Sequence, residues 1–215
     1  MIAADRALSA QAIETGLVSR PLWTAARWLT ELGGAPVLWI VTLTAAALLW
    51  RRLSPRHAGL LLATAITGRI SVELLKTANA RPRPDLVEHP VFTHSLAMPS
   101  GHAANSMIVY LTIALLAPER HRRASVAVAV LLSISIGLTR PILGVHWPSD
   151  VVAGWLWGAG WTLLCVGLGR AWTENNTTLS PSGERDRREA PGRGGRPADT
   201  AIPSPRSPAA SRPLP

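Results

Sequence analysis

Five long apolar stretches are the feature that most constrains how this chain folds. A transmembrane helix needs about 17–25 residues, so the third and fourth stretches need flanking residues to complete a span. As buried helices of a water-soluble protein, five segments with almost no polar face would be unusual. The pattern therefore predicts an all-α, multi-pass transmembrane helix bundle of about five spans. The stretches cover residues 34–50, 58–75, 103–117, 124–138 and 151–168.

The rest of the chain frames a transmembrane domain that is predicted to cover residues 34–172. Residues 1–33 are predicted to be an N-terminal amphipathic, interfacial segment. Its first part, residues 1–19, lacks a basic stretch followed by an apolar run, so no cleavable signal peptide is expected. Residues 173–215 are rich in Asn, Ser, Pro, Gly and Arg. Such a composition cannot bury enough apolar area to offset ordering, which predicts a disordered Arg/Pro-rich tail.

The segment of residues 21–31 has the pattern of a helix that lies on the membrane surface. Tryptophans and charged residues surround one apolar face, which is typical of interfacial helices. The alternative is a further short span starting near Ile13, which the charges of Arg20, Arg27 and Glu31 disfavour. The residues of the predicted apolar face are Leu22, Ala25, Ala26 and Leu29.

The composition narrows the classes of partner. The net charge is +9 and the mean hydropathy is +0.19, and the arginines occur in short clusters between apolar stretches and in the tail. This distribution favours membrane lipids over nucleic acid as the partner. The single cysteine, Cys165, lies in an apolar stretch. That placement excludes a disulfide framework and a zinc-ligand spacing.

Basic clusters between the spans predict the orientation in the cell membrane. Five spans place three clusters on one face, and the positive-inside rule makes that face, with the tail, cytoplasmic. The loops of residues 77–101 and 140–150 then lie on the extracytoplasmic face. The clusters are Arg51, Arg52, Arg56 and His57, then Arg120, Arg122 and Arg123, and finally Arg170 with the arginines of the tail.

Both extracytoplasmic loops carry reactive side chains close to span ends. Lys76, His102, Arg140 and Asp150 lie at the ends of four different spans. Topology alone therefore brings them to one membrane surface. Positive charge on the extracytoplasmic face runs against the positive-inside rule. A bound phosphate would neutralise that charge. Charged residues at membrane level are energetically costly, so a cluster of them usually indicates a functional site.

The residue types of this cluster suit phosphate chemistry. An arginine guanidinium can donate two parallel hydrogen bonds to a pair of phosphate oxygens. The N-termini of two helices also favour an anion. His146 is a candidate nucleophile, because Asp150, four residues later, can hold one ring nitrogen and leave the other free to attack. His102 can protonate the leaving oxygen. The predicted phosphate-holding groups are Lys76, Arg81, Arg83 and Arg140, together with Ser100 as a helix cap and Gly101 for close backbone approach.

These residues also carry a resemblance to a known family. Lys76 is followed after six residues by Arg83-Pro84, and Pro99-Ser100-Gly101-His102 comes next. Arg140 is followed after five residues by His146, and Asp150 comes after three more. The three parts, in this order, resemble the type 2 phosphatidic acid phosphatase superfamily, which includes lipid phosphatases, undecaprenyl diphosphate phosphatases and vanadium haloperoxidases. The match covers residues 76–154.

The resemblance implies a metal-independent, cofactor-free phosphatase that works through a phosphohistidine. His146 is then the nucleophile, His102 the acid and Asp150 the support of His146, with Lys76, Arg83, Ser100, Gly101 and Arg140 holding the phosphoryl oxygens. Thr139 departs from the usual serine but keeps a hydroxyl. The predicted five spans also depart from the six of many members.

Three further residues are secondary candidates with open alternatives. Arg81 is either part of the phosphate clamp or a flanking charge. Glu73 either pairs with Arg69 on one helix face or orients Lys76. Trp147 lines the substrate path or anchors the chain at the membrane interface.

The predicted function is hydrolysis of a lipid phosphate or diphosphate. Undecaprenyl diphosphate is the first candidate substrate, followed by phosphatidic acid and phosphatidylglycerol phosphate, and nothing in the sequence decides among them or indicates the oligomeric state. A vanadate-dependent haloperoxidase is one alternative, but those relatives are soluble and much larger. A non-catalytic membrane protein with a phosphate site is another, and the complete set of charged residues argues against it.

Overall fold

A computed structural model describes residues 2–86 and 96–178, which form seven α-helices. Neither of these two ranges contains a β-strand, so the predicted all-α fold is confirmed. The helices are α1 (Ile2–Val18), α2 (Arg20–Glu31), α3 (Ala35–Arg52), α4 (Pro55–Asn79), α5 (Gly101–Leu115), α6 (Glu119–Ile142) and α7 (Pro148–Thr178).

Local sequence explains where several of these helices begin and end. Proline occupies one of the first two positions of α2, α3 and α4, where its missing N–H costs no hydrogen bond. Ser19 caps α2 by accepting a hydrogen bond from Leu22 N at 3.4 Å. Ala80 ends α4 in the left-handed conformation with a φ of 45°, and its N–H donates to Lys76 O. That turn directs the chain from α4 towards the arginines of the following loop.

Length and apolar composition make α4, α6 and residues Pro148–Trp172 of α7 candidate membrane spans. Taken together, α2 and α3 are also long and apolar enough to form one span, with a bend of 48° between the two helices. α5 is apolar but shorter. The chain is thus a membrane protein with three or four candidate spans in its described part, and the count of five stays a prediction.

α5 lies at the centre of the bundle and packs against α3, α4 and α6. Most of its side chains are buried, which explains why a short helix is apolar on all sides. α7 also approaches α5 closely, because a Cβ on Gly158 would lie 2.6 Å from Ala104 O and one on Gly154 would lie 2.8 Å from Ser100 O. These contacts hold the beginnings of α5 and α7 side by side.

The N-terminal region contains two helices where the sequence predicted one interfacial segment. α1 lies in the first part of that segment, where no separate helix was predicted, and it buries Asp5, Ser9 and Ile13 on one face. Both α1 and α2 pack against α6. The helix predicted for residues 21–31 is present as α2, but only Ala26 of its predicted apolar face is buried. Ala26 packs against Leu143 and Val145, so α2 covers the loop between α6 and α7.

The last helix extends into the predicted tail, and the disorder of the tail stays a prediction. α7 continues to Thr178, so residues 173–178 of the predicted tail are helical. The predicted boundary was placed where the apolar composition ends, whereas a helix can continue beyond its last apolar turn. Residues 179–215 of the predicted disordered tail lie outside the described residues.

Candidate active site

Four helix ends meet at one end of the bundle, as the topology argument predicted. The backbone N–H of Ser100, at the start of α5, donates to Asp150 O in the first turn of α7 at 2.9 Å. At the end of α6, Val145 N donates to Arg140 O at 3.1 Å, and Gly144 takes a positive φ of 70° in this turn. Glycine adopts that conformation without strain. The turn places His146 directly before α7.

His146 lies between an arginine and a carboxylate. Its ring is 2% exposed, and its Nε2 lies 3.3 Å from Arg83 Nη1. The same Nη1 donates to Val145 O at 2.7 Å, which fixes the guanidinium beside the ring. On the other side, His146 Nδ1 lies 3.5 Å from Asp150 Oδ2. This is longer than a good hydrogen bond, and catalytic hydrogen bonds often tighten only when substrate binds.

The carboxylate of Asp150 is completely buried and held from two sides. Its Oδ2 accepts a hydrogen bond from Trp147 N at 3.0 Å, and its Oδ1 accepts one from Arg81 Nη1 at 2.7 Å. Buried charges are paired and hydrogen-bonded because an unpaired one is costly. The predicted supporting role of Asp150 thus has a fixed geometry behind His146.

Arg81 contacts carboxylates in the structure, where the sequence had offered it as part of a phosphate clamp. Besides Asp150, its Nη2 donates to Asp5 Oδ2 at 2.7 Å, and its Nη1 donates to Ser149 Oγ at 2.7 Å. Two carboxylates therefore compete with a phosphate for this guanidinium. The donors of Arg81 thus hold Asp150 and its neighbours, and Asp150 lies next to His146.

Asp5 was missed by the sequence reasoning although it is tied to the site. Its Oδ2 accepts from Ser149 Oγ at 2.6 Å, and its Oδ1 accepts from Ser149 N at 3.1 Å. Burial favours a raised pKa for Asp5, but the hydrogen bonds from Ser149 and Arg81 outweigh it, so this pKa lies below its ordinary value. The spacing of Asp5, Ser9 and Ile13 by four residues was the available signal, since it defines one helix face.

Lys76 reaches the beginning of α5 from the end of α4. Its Nζ donates to Glu73 Oε1 at 3.2 Å, and a Cβ at position 101 would lie only 3.2 Å from the same Nζ. Gly101 therefore leaves room for the ammonium group next to the helix N-terminus. Glu73 pairs with Lys76, three residues later, and no ion pair joins Glu73 to Arg69 in the described residues. The pairing with Arg69 is thus not seen, and the alternative contact with Lys76 is present.

Arg140 is buried at the end of α6 and retains an unused donor. Its Nη1 donates to Thr30 Oγ1 of α2 at 2.6 Å, and its Nε has no hydrogen-bond partner within residues 2–86 and 96–178. Thr30 was another contact that the sequence did not reveal. The hydroxyl of Thr139 donates to Ile136 O at 2.6 Å, within its own helix. Thr139, which replaces the serine that is usual in the family, thus uses its hydroxyl within α6.

His102 lies in the first turn of α5. A Cβ at Gly33 would lie 3.3 Å from His102 Cδ2, so the turn between α2 and α3 packs on the imidazole. Burial and the neighbouring basic groups of Arg140, Lys76 and Arg83 lower the pKa of His102 to about 2, so this ring is neutral until an anion offsets those charges. The predicted acid and the predicted nucleophile thus lie in one group of cations.

Trp147 is buried and holds the loop after α4. Its Nε1 donates to Pro82 O at 3.1 Å, and the Arg81 guanidinium lies 5.7 Å from the centre of its ring. A guanidinium over an indole face is a favourable cation–π arrangement. The side chain is only 6% exposed, so protein encloses most of it, and the two roles predicted for Trp147 stay open.

Burial and the neighbouring cations make His146 a neutral imidazole. Burial lowers its pKa most, and the positive charges of Arg83, Arg140 and Lys76 lower it further, to well below the ordinary value of 6.5. Burial also lowers the pKa of the Arg83 guanidinium, and the charge of Asp150 opposes that effect. A neutral ring has a free lone pair at neutral pH, which a nucleophile requires.

Several donors at this end of the bundle lack a partner. They are Ser100 Oγ, Arg140 Nε and His146 Nδ1, none of which has a hydrogen bond within the described ranges. Buried polar groups without partners call for an explanation such as an absent ligand. An anion with several oxygens is the ligand that matches the unpaired Ser100 Oγ and Arg140 Nε and the positive charges of Lys76, Arg83 and Arg140. The described residues contain no group of three or more His, Cys, Asp or Glu side chains placed to hold a metal ion.

Comparisons with known proteins agree with this site. Residues 56–174 match the model of the PAP2 superfamily, the type 2 phosphatidic acid phosphatases. A decaprenylphosphoryl-5-phosphoribose phosphatase of Mycobacterium tuberculosis is 32% identical over 170 residues, which cover 74% of this chain and 89% of the relative. A lipid A 1-phosphatase of Rhizobium johnstonii is 37% identical over 110 residues, which cover 47% of this chain and 43% of the relative.

A solved structure resembles the fold as well. The crystal structure of a transmembrane PAP2 type phosphatidylglycerolphosphate phosphatase from Bacillus subtilis superimposes with a TM-score of 0.72 and 27% identity. The match covers 79% of this chain and 86% of that one. By contrast, the chain spans less than half the length of the lipid A 1-phosphatases that it matches. The family model covers more than half of the chain and includes both loops of the site, so this protein belongs to the PAP2 superfamily.

Proposed function

We propose that this protein is a membrane phosphatase that hydrolyses a lipid phosphate or diphosphate through a phosphohistidine at His146. The observation that carries the proposal is the placement of His146 Nε2 at 3.3 Å from Arg83 Nη1, with Asp150 behind the ring. A nucleophile with an orienting carboxylate and an adjacent arginine is the arrangement that phosphoryl transfer needs.

In the proposed first step, the Nε2 lone pair of His146 attacks phosphorus, and the bond from phosphorus to the leaving oxygen breaks. Arg83, Lys76 and Arg140 stabilise the negative charge on the equatorial oxygens, together with the hydroxyl of Ser100 and the backbone at Gly101. Asp150 stabilises the positive charge that develops on the imidazole. His102 donates a proton to the leaving oxygen, which departs as the lipid alcohol or lipid monophosphate.

In the second step, water attacks the phosphohistidine and the N–P bond breaks. His102, now neutral, accepts the proton of the water, and inorganic phosphate leaves with His146 restored. Neither step requires a metal ion, since the basic side chains supply the charge stabilisation. We propose accordingly that a chelator leaves the activity unchanged.

The substrate class is supported by the position of the site at the ends of apolar helices. A lipid whose tail stays in the bilayer brings its phosphate to this level. Undecaprenyl diphosphate is our first candidate, and phosphatidic acid and phosphatidylglycerol phosphate follow. The names of the relatives extend the panel to decaprenylphosphoryl-5-phosphoribose, because that relative matches along most of its length. The distribution of basic loops supports an extracytoplasmic site and a cytoplasmic tail.

The test is phosphate release by the purified protein in detergent with this panel of lipid phosphates. We expect His146→Gln to abolish turnover and to prevent formation of an acid-labile phosphoprotein. His121→Gln is the matched control, because His121 is exposed at the other end of α6 and its side chain bonds only to Arg120 among the described contacts. Turnover that survives in the His146 variant contradicts the nucleophile assignment, and loss with chelator contradicts a metal-independent reaction.

A further inference from the structure

A large cavity lies at the end of the bundle opposite to the candidate active site. Its volume is about 970 Å³, and its walls come from the beginnings of α4 and α6 and the ends of α5 and α7. His57 on its wall and Lys76 in the candidate site are nineteen positions apart on one helix, or roughly 28 Å at 1.5 Å per residue. The cavity is therefore distinct from the phosphate site. Pockets of about 300–1,000 Å³ are typical of sites for small ligands.

The interior of this cavity is apolar and its rim is basic. Leu60, Leu116 and Val166 contribute to the apolar wall. Four basic side chains belong to the lining, and no Asp or Glu is among the lining residues of the described chain. An apolar chamber with a cationic rim is complementary to an amphiphile that has an anionic head and a hydrocarbon tail. The basic residues are Arg56, His57, Arg122 and Arg170.

The basic groups of the rim are held in place and some of their donors are unused. Arg170 Nη2 donates to Leu115 O at 3.4 Å, and the Arg56 guanidinium lies 6.0 Å from the centre of the Trp172 ring. Arg122 Nε is buried and has no hydrogen-bond partner in the described residues. Buried donors without partners point to a polar ligand.

We propose that this cavity binds one anionic phospholipid from the leaflet at that end of the bundle. Its phosphate lies among Arg122, Arg170, Arg56 and His57, and the beginning of α4 adds the favourable end of a helix dipole. One acyl chain occupies the apolar chamber between α4, α5 and α7. The lipid is a ligand of the folded protein and not its substrate, because the site is far from His146. The proposal stands independently of the proposed phosphatase activity.

The only cysteine of the chain provides the assay. Cys165 lies in the wall of the cavity and is partly exposed, so its alkylation reports whether the chamber is occupied. The full-length protein in neutral detergent is titrated with phosphatidylglycerol or with phosphatidylcholine of the same acyl chains. The rate of modification by N-ethylmaleimide is followed by intact mass, and native mass spectrometry counts the lipids that stay bound.

We expect phosphatidylglycerol to slow alkylation about tenfold at ten times its dissociation constant, since only the empty fraction reacts. One phosphatidylglycerol per chain should be retained. Phosphatidylcholine should protect much less, because its head carries no net negative charge. Inorganic phosphate alone should leave the rate unchanged, since it does not fill the apolar chamber. Equal protection by both lipids, or protection by phosphate alone, overturns the proposal.

A pair of variants separates the site from general surface charge. Arg122→Gln with Arg170→Gln should abolish protection by phosphatidylglycerol. Arg120→Gln with Arg123→Gln is the matched control, because it removes the same charge from exposed residues near the same end that do not line the cavity. The control should keep full protection. If the first pair does not fold, Arg170→Gln alone should weaken protection several-fold, and unchanged protection there overturns the proposal.

Discussion

The contact between Asp5 and Arg81 leads to a prediction for a residue far from the site in sequence. Asp5→Asn keeps the shape of the side chain but removes the charge that faces the Arg81 guanidinium at 2.7 Å. The NH2 group of the asparagine would also lie opposite a donor of Arg81 or Ser149, where a carboxylate oxygen of Asp5 now accepts a hydrogen bond. The side chains of Asp5 and Arg81 are only 6% and 17% exposed, so water screens this pair weakly.

The magnitude follows from the three hydrogen bonds that Asp5 accepts from Arg81 and Ser149. Breaking a buried ion pair by removing one partner costs about 3–5 kcal/mol. Arg81 keeps Asp150 as a second partner, so we expect the lower end, about 3 kcal/mol of stability. For a chain of this length, that corresponds to a fall in Tm of roughly 6–12 °C.

The same change should lower turnover more than substrate affinity. Arg81 then loses one of the two carboxylates that fix it, and Asp150 loses part of its support behind His146. Displacing a catalytic group by about 1 Å can cost about 100-fold, so a partial displacement should lower kcat roughly tenfold. KM should change less than about twofold, since the groups proposed to hold phosphate are untouched. Asp5 is thus a positioning residue.

Thermal unfolding in detergent and phosphate release with a saturating lipid phosphate measure both effects. Glu14→Gln is the matched control, because Glu14 is an exposed acid on the same helix and should change neither quantity. A wild-type Tm and kcat in Asp5→Asn would refute the inference that α1 holds the site through Arg81. A loss of stability with unchanged kcat would refute only the positioning role.

Two further predictions follow from the packing and the electrostatics. Gly158→Ala should destabilise the protein by about 1–3 kcal/mol, because its Cβ would lie 2.6 Å from Ala104 O, whereas Gly160→Ala has open space and should be neutral in thermal unfolding. The His146 ring should remain neutral at pH 6, which ¹⁵N NMR can test by comparison with His146→Gln. Since burial lowers the pKa of His146, the unfolded chain gains a proton below pH 6.5 that the folded chain does not. The contribution of His146 to stability therefore rises with pH through that window, and a ring that protonates near pH 6.5 contradicts this reasoning.

Much of the candidate site was predictable because topology constrains a membrane bundle strongly. Lys76, His102, Arg140 and Asp150 lie at span ends, and antiparallel helices bring such ends together. His146 and Asp150 share one turn through their spacing of four residues. The structure has these side chains at one end of the bundle as predicted, and their catalytic roles remain proposals that the variants above test.

The partners of Arg81 and Arg140 were not predictable in the same way. The sequence next to each arginine carries no local mark of the group that the guanidinium contacts. Arg81 contacts Asp5 of α1 and Arg140 contacts Thr30 of α2, and both partners are far away in sequence. Only the packing of those helices against α6 brings them to the site. The same packing explains why α2, expected at the membrane surface, covers the loop before His146.

The apolar pattern and the order of the motifs were enough to determine the helical class, the family resemblance and the end of the bundle that carries the reactive groups. Those properties depend on local periodicity and on chain order, which a sequence contains directly. The hydrogen-bond partners of Arg81, the burial of Trp147 and the cavity beside Cys165 depend on which helix faces pack together. That choice comes from long-range contacts among side chains, so only the tertiary structure decided it.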